Sequence, residues 1–353
     1  MDAGSMMASE REKIEAELVS FFKKERKGIV RDDLALRVLD ELRDFTLRDA
    51  KRVRSVLTVM GYRAVGGRDL RKARKAAVSL ELIQTMLLIH DDIMDRSERR
   101  RGEPSFHRIF GSMHERSKFP GDPERFGINM ALIAGDLAES LGEKALLTSG
   151  FPAERIHDAL VCQADMIRDT GIGQVFDIYS EALPTWSEEM VIKVHTYKTA
   201  RYTLDSPLRI GAHLHGASEE QLASLSSYAI PVGIAFQLID DILGFYGDPK
   251  KGGRADLSDI KEGKRTLLIV KALELTDAAG KRKIMNGLGN PGLAVKEAEN
   301  IRAMIREGGS EGYSRMKARE YTEIGKSALK GTDLDPEIVT FLEELAELLV
   351  GRA

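Results

Sequence analysis

Apolar residues recur along this chain at intervals of three and four, the spacing of one helix face, and sustained period-2 alternation is absent. The pattern predicts helices over about 9–27 and 31–45, the second with Leu34, Val38, Leu42 and Phe45 on one face. Gly66 and Gly67 interrupt it, and a long helix is expected from about Asp69 to Asp95. Glu103 to Phe126, punctuated by Pro104, Gly111, Pro120, Gly121 and Pro123, reads as a loop holding a single helical turn. Further helices are expected over about 128–147, 153–181, 188–197, 200–215 and 218–243. Ser218 with Gln221 three residues on forms a capping box for the last of these, and Pro231 and Gly233 are expected to kink it. From about Leu267 to Leu349, amphipathic helices alternate with turns at Gly308-Gly309 and Gly331. The fold class that follows is all-α. One domain is expected over 1–353, with the motif-bearing region at about 51–266 and C-terminal helices at about 267–350; no linker or internal repeat is visible.

Composition narrows this picture. A chain of 353 residues with 42% hydrophobic and 31% charged content suits a soluble globular protein with a sizeable core. A net charge of −3 gives no strong attraction for nucleic acid or an anionic membrane. Gln221 to Ile239 is the longest uncharged run of interest, but Ser224, Ser226, Ser227, Pro231 and Gln237 make it a buried helix and not a membrane span. Cys162 is the single cysteine, so no intrachain disulfide can form, a reducing compartment is expected, and the thiol reads as a small buried residue. The first residues lack a long apolar segment, so the expected location is cytoplasmic. No GxGxxG, Walker-type loop or zinc-spaced Cys/His set is present, and the seven histidines are scattered.

The chemistry concentrates at Leu87-Leu88-Ile89-His90-Asp91-Asp92-Ile93-Met94-Asp95, followed by Arg99, Arg100 and Arg101. On a helix Asp91 and Asp95 stand one above the other with Asp92 beside them. Adjacent carboxylates resist joint ionisation unless a cation joins them. Mg²⁺ suits such a face, since it usually takes one or two carboxylates together with substrate phosphates. Leu87, Gln84 and Leu80 lie within about 40° of the Asp91 azimuth, roughly 6, 10 and 16 Å down the helix. An apolar column therefore runs away from the carboxylates, with one amide in it; an ordinary core face has the same pattern. Phe236-Gln237-Leu238-Ile239-Asp240-Asp241 repeats the design. One such cluster is commonly a solvated helix end; two, each closing an apolar helix beside basic residues, point to a metal–diphosphate site.

Other residues carry weaker signals. Lys51 and Arg54 share a helix face and suit a second anion site, although a solvated helix edge is the commoner role. Gln174 and Asp177 face together in Gly173-Gln174-Val175-Phe176-Asp177. Lys198-Thr199, at an expected helix break, suits a phosphate or carbocation contact; a surface lysine is the bland alternative. Asp136 sits in an apolar run and needs a partner. The glycine-rich basic stretch from Gly247 to Thr266 reads as a lid beside the second acidic pair, or as a plain linker.

These motifs, in this order from Lys51 to Thr266, resemble the trans-isoprenyl diphosphate synthases of the farnesyl and geranylgeranyl type. Asp91–Asp95 resembles the family's first aspartate-rich motif, Arg100-Arg101-Gly102 its paired arginines, and Lys51–Ser55 its GKRxRP signature. Gly173–Asp177, Lys198-Thr199, Phe236–Asp241 and Ser258-Asp259 through Gly263-Lys264 have counterparts as well. The resemblance implies a single helical-bundle domain of the isoprenoid synthase fold around a deep central cavity, assembled as a homodimer. It implies a transferase joining isopentenyl diphosphate to dimethylallyl, geranyl or farnesyl diphosphate. Asp91, Asp92, Asp95, Asp240 and Asp241 would hold Mg²⁺, three ions per site, with Asp177 in support. Arg100, Lys198, Lys264 and Arg254 would contact the allylic diphosphate. Lys51, Arg54, Gln84 and Arg101 would bind isopentenyl diphosphate, and Thr199 and Gln237 would ease the cation.

The chain departs from the pattern at Ala50 and Ser55, where glycine and proline are usual, and at Gln84, where many members have histidine. Gly244 replaces the fifth aspartate of the second motif, and Arg254 replaces a lysine. Product length is expected to follow residues one turn before Asp91. Met86 and Leu87, with Ile83 below, are not an aromatic pair, so the wall should sit deep enough for geranylgeranyl diphosphate, with farnesyl diphosphate as intermediate or co-product. A class I terpene cyclase would share the metal site but needs no second diphosphate site. A non-catalytic subunit of a heteromeric synthase usually lacks an aspartate motif, and both are present here. A His-Asp phosphohydrolase rests on His90-Asp91 alone.

Overall fold

The computed structural model describes residues 2–28, 32–183, 185–247, 260–261 and 263–351. Helices dominate: α1 Ala3–Gly28, α2 Asp33–Leu47, α3 Val53–Ala64, α4 Leu70–Met94, α5 Phe106–Arg116, α6 Pro123–Leu147 and α7 Ala153–Ala182. α8 Glu188–Val194 runs into a π-helix, His195–Asp205, and then into α9 Ser206–His215. α10 Glu219–Tyr246, α11 Leu267–Leu275, α12 Ala278–Gly287, α13 Val295–Glu307, α14 Ser310–Ala328 and α15 Pro336–Val350 complete the order. One two-residue hairpin, β1 Arg99–Arg100 with β2 Glu103–Pro104, is the sheet among the described residues. The chain divides into two compact units, residues 5–160 with 210–216, and residues 2–4, 161–209 and 217 onward.

In the first unit α4 packs most extensively on α6. Ala131, Ala134, Gly135, Ala138 and Gly142 form a buried small-residue stripe on α6 that lets α4 approach. Ile83 fills the space at Gly142, where a Cβ would stand 3.0 Å from its δ-methyl. His90 fills the space at Gly135 and is a packing residue on that face. Asp136, expected to need a partner, lies on the exposed side of α6 with Oδ1 3.9 Å from His90 Nε2. The stretch read as mostly loop contains α5. Phe106, Phe110 and Met113 recur at helical spacing and are buried, and the two phenyl rings stack 5.3 Å apart. Prolines and glycines flanking this short helix obscure its periodicity. α6 also starts five residues before the expected point, because Pro123 occupies its first turn and Asp122 caps it through the Glu124 amide at 2.9 Å.

In the second unit α10 packs against the π-helix and α14. It is long and apolar enough to cross a membrane, yet Leu222, Leu225, Val232, Leu238, Ile239 and Ile242 are buried in the core of this unit. Its capping box forms as expected, with Ser218 Oγ accepting from the Gln221 amide. Gly233 admits the π-helix, since a Cβ there would meet Ala200 Cα at 2.6 Å. The break expected between residues 197 and 200 does not exist: wider π hydrogen bonding keeps the chain helical through 188–215. π segments inside helices are frequent at functional sites.

Candidate active site

Asp91 and Asp92 occupy the last turn of α4, and Asp95 is its C-cap residue, its amide donating to the Asp91 carbonyl at 2.9 Å. Arg100 on β1 reaches back to them. Its Nε donates to Asp92 Oδ1 at 2.7 Å and its Nη2 to Asp91 Oδ2 at 3.3 Å. Asp92 is fully buried; burial pushes its carboxyl above the usual carboxylate range, and the Arg100 guanidinium opposes that. Asp92 Oδ2 is buried without a hydrogen-bond partner.

The hairpin that presents Arg100 turns on Arg101 and Gly102, both with positive φ, 55° and 82°. Two such residues give the primed turn that matches strand twist. Arg48 straps the hairpin: Nη1 donates to the Arg100 carbonyl at 3.1 Å and Nη2 to the Pro104 carbonyl at 2.9 Å. Arg101 Nη1 returns a bond to the Arg48 carbonyl at 3.3 Å.

Lys51 and Arg54 flank Arg52, which is 3% exposed and left-handed, with φ 52°. Its guanidinium donates to Glu81 Oε2 at 2.8 Å, to the Thr46 carbonyl at 2.7 Å and to Glu15 Oε1 at 3.2 Å. Buried Glu81 also accepts from Ser55 Oγ at 2.5 Å, so the serine that replaces a proline has a bonded role here. Lys51 is exposed, Arg54 and Gln84 are half-buried, and Arg101 is exposed at the turn. Of the expected wall, Met86 is buried, Leu87 half-buried, and Ile83 sealed against α6.

The second unit holds a cavity of about 390 Å³ lined by Asp177, Lys198, Thr199, Gln237, Asp240, Asp241 and Lys264, together with His195, Trp186, Arg265 and Thr266. Gly244, at the position of the missing fifth aspartate, also lines it. Gly173 brings α7 against the π-helix, and Lys198 Nζ donates to Asp177 Oδ2 at 2.6 Å. Thr199 Oγ1 donates to Gln237 Oε1 at 3.1 Å, and Gln237 Nε2 donates to Asp241 Oδ1 at 2.8 Å. Buried His195 stands with Nε2 3.1 Å from Asp241 Oδ2. Oδ2 is left without a hydrogen bond. Arg254 lies outside the described residues, as do Ser258 and Asp259. A larger hollow, about 640 Å³, is lined by Asn286, Asn290 and Asn300 of the α12–α13 region and receives none of the expected site residues.

Each unit therefore leaves one buried carboxylate oxygen unsatisfied, Asp92 Oδ2 in the first and Asp241 Oδ2 in the second. An orphaned buried acceptor costs about 1–3 kcal/mol, and a hard cation relieves it. Among the described residues no three His, Cys, Asp or Glu side chains converge to hold a metal by themselves. Mg²⁺ does not require that, since water and phosphate oxygens complete its octahedron. The donor set fits Mg²⁺.

Four contributors escaped the sequence reading: Arg48, Arg52, Glu81 and His195. The first three are ordinary members of helical patterns until the fold buries them together. His195 carried a faint signal, three residues before Lys198 on a helical stretch.

The polyprenyl synthetase family model matches residues 37–305. A short chain isoprenyl diphosphate synthase of Methanothermobacter thermautotrophicus is 34% identical over 281 residues, 79% of this chain and 80% of that one. A geranylfarnesyl diphosphate synthase of Aeropyrum pernix is 30% identical over 308 residues, covering 86% and 90%. The crystal structure of a geranylgeranyl pyrophosphate synthase from Corynebacterium glutamicum, complexed with isoprenyl diphosphate and magnesium, superposes with a TM-score of 0.92 at 33% identity over 100% of both chains.

Proposed function

The chain belongs to the polyprenyl synthetase family, and from that premise we propose how its residues divide the work of a trans-prenyltransferase. The reaction is head-to-tail condensation of isopentenyl diphosphate with allylic diphosphates, and geranylgeranyl diphosphate is the product that the geranylgeranyl synthases among the relatives support. One observation carries the assignment of roles. Each aspartate cluster lies in the C-terminal part of a long helix with an apolar run before it, has a cation within its own unit bonded to a carboxylate of the site, and keeps one buried carboxylate oxygen unsatisfied.

Asp91, Asp92, Asp95, Asp240 and Asp241 would hold Mg²⁺, with three ions per site as the reading we adopt. Bound Mg²⁺ would neutralise diphosphate charge as it develops. Arg100 in the first unit and Lys198 and Lys264 in the second would supply fixed positive charge to diphosphate oxygens, which lowers the barrier for breaking the allylic C–O bond. Lys51, Arg54, Gln84 and Arg101 hold isopentenyl diphosphate, with Arg52 and Glu81 fixing the backbone between the two cations. The alkene attacks the allylic carbon, a C–C bond forms, and a proton leaves to the released pyrophosphate. The Gln237 amide, oriented by Thr199, presents a dipole to the cation, and apolar walls keep water from quenching it.

The outward face of α6 supports a homodimer. Leu132, Ile133 and Leu137 are 44%, 58% and 44% exposed, and contiguous apolar surface of this kind marks an interaction site. A cytoplasmic location and a single functional domain complete the proposal.

The test is a product assay with Mg²⁺, labelled isopentenyl diphosphate and each of the C5, C10 and C15 allylic diphosphates. Elongation ending at C20 supports the whole reading. Ending at C15 or beyond C20 keeps the chemistry and moves the wall. Pyrophosphate release without incorporation would assign the chain to cyclisation instead.

A further inference from the structure

Trp186 is the only tryptophan of the chain and stands between α7 and α8. The guanidinium carbon of Arg265 lies 3.7 Å from its ring centroid, well inside the range at which an aromatic face holds a cation. Arg265 Nη2 also donates to the Glu181 carbonyl at 3.1 Å. Two contacts thus clamp one guanidinium to the end of α7 and to the segment after it. The residue next to Arg265 is Lys264, the expected diphosphate ligand. Neither Trp186 nor Arg265 belongs to the motifs that carry the family resemblance.

Both side chains line the cavity that contains Asp177, Asp240 and Asp241. Three polar atoms of this wall are buried and unsatisfied: Trp186 Nε1, Arg265 Nε and Thr266 Oγ1. The first two are donors only, and the hydroxyl can donate. Buried donors without acceptors are unfavourable and call for a missing partner. Among the cavity's carboxylates, Asp177 accepts from Lys198 and Asp241 Oδ1 accepts from Gln237, so neither turns that oxygen toward this wall's donors. An incoming anion rich in acceptor oxygens is what this wall lacks.

We propose that Arg265 is a further ligand of the allylic diphosphate and that Trp186 is the positioning residue that holds its guanidinium, and with it Lys264, at the cavity wall. The proposal rests on the reading of this cavity as a diphosphate site. Arginine suits the role because its planar fork stacks on an aromatic ring while its edge donates to phosphate. A lysine at 265 would keep the charge and lose the stack.

The sole tryptophan makes the test direct. The full chain is titrated with inorganic pyrophosphate and Mg²⁺ while tryptophan emission and calorimetric heat are followed together. Emission is expected to change saturably, with the midpoint of the heat curve. Arg265→Met and Trp186→Ala should each weaken pyrophosphate binding about 10-fold, the loss of one charge-assisted hydrogen bond. They should raise KM for the allylic diphosphate by a similar factor while KM for isopentenyl diphosphate stays within about twofold. Trp186→Phe, which keeps an aromatic face, should recover most of the affinity. Arg265→Lys should not, and the two arginine variants keep the test open where Trp186→Ala fails to fold. Unchanged pyrophosphate affinity in Arg265→Met and Trp186→Ala, with emission indifferent to pyrophosphate, overturns the proposal. Absence of any pyrophosphate heat in the unaltered chain instead overturns the diphosphate reading of the cavity, and this proposal with it.

Discussion

Gln237 and His195 flank Asp241 from different elements: the amide of α10 donates to Oδ1 at 2.8 Å, and the imidazole of the π-helix stands 3.1 Å from Oδ2 without a hydrogen bond to it. On the proposed reading Asp241 holds Mg²⁺, and the loss of contacts that orient a metal-binding carboxylate typically costs 10- to 100-fold in metal affinity. His195→Leu is therefore expected to raise the Mg²⁺ concentration for half-maximal pyrophosphate binding about 10-fold or more. Calorimetry at a series of Mg²⁺ concentrations measures it. An unchanged Mg²⁺ requirement would separate His195 from the metal site.

Gly173 decides where Lys198 sits. A Cβ at Gly173 would stand 2.4 Å from the Lys198 amide nitrogen, a contact with backbone that no rotamer change relieves. Glycine to alanine inside a helix ordinarily stabilises by about 1 kcal/mol. Here the sign reverses, because overpacking costs about 1–3 kcal/mol. Gly173→Ala is expected to lower the unfolding midpoint in urea and to lower kcat, since moving the π-helix moves the Lys198–Asp177 pair. A variant as stable and active as the original would show that α7 and the π-helix separate at no cost.

Arg52 and Glu81 form a buried ion pair, with side chains 1% and 3% exposed. Removing one member leaves the other charged, buried and uncompensated, which costs about 3–5 kcal/mol. Arg52→Met should show that loss by urea denaturation. The double variant Arg52→Met, Glu81→Leu should recover part of it, because two apolar groups replace the stranded charge. KM for isopentenyl diphosphate should stay high in both, since neither restores the backbone between Lys51 and Arg54. A double variant with normal KM would limit the pair to stability.

The helical class was legible because long helices repeat their pattern many times: α4 and α10 carry enough turns for periodicity to speak. α5 was not, since eleven residues between prolines give the pattern little room. The π-helix was not either, because the sequence marks a change at Tyr197-Lys198-Thr199 without saying that the hydrogen bonding widens there instead of stopping. Charged residues close to a motif stood out by their spacing, and Asp177, Lys198, Asp240, Asp241 and Lys264 line one cavity. Arg48, Arg52 and Glu81 did not stand out, because their roles come from a buried junction of α2, α3 and α4 that no local window contains. Lys264 stood out by its motif, whereas its neighbour Arg265 gained meaning only beside Trp186.

Cys162 gives a clean pH experiment because it is the only thiol. Burial pushes its pKa from 9.0 up to about 12. The folded chain should not react with a disulfide reagent at pH 8, and one thiol per chain should appear on unfolding. The stability consequence has a definite sign. A pKa raised in the folded state gives stability that is intact below the unfolded value and lost as pH rises between the two. The expected slope from this group is about 1.4 kcal/mol per pH unit above pH 9. Serine at 162 should remove that contribution, and identical pH profiles for the two chains would contradict the buried thiol.

The product-length proposal separates three neighbours on α4. Leu87 lies one turn before Asp91 and is half-buried, so its side chain has space beside it. Leu87→Phe is expected to shorten the main product from C20 to C15 with little change in stability. Met86 is only 4% exposed, so a phenyl ring there must displace packed neighbours. Met86→Phe should shorten the product too, at about 1–3 kcal/mol of stability. Ile83 presses its δ-methyl toward Gly142 on α6. Ile83→Phe should therefore destabilise without shortening the product, because its added volume falls between two helices. Chromatography of the dephosphorylated alcohols, with a melting curve for each variant, distinguishes the three. If Leu87→Phe still ends at C20, the chain does not grow down this face of α4. If Ile83→Phe is the one that shortens it, the wall lies a turn deeper, and the Gly142 contact must open when the product fills the site.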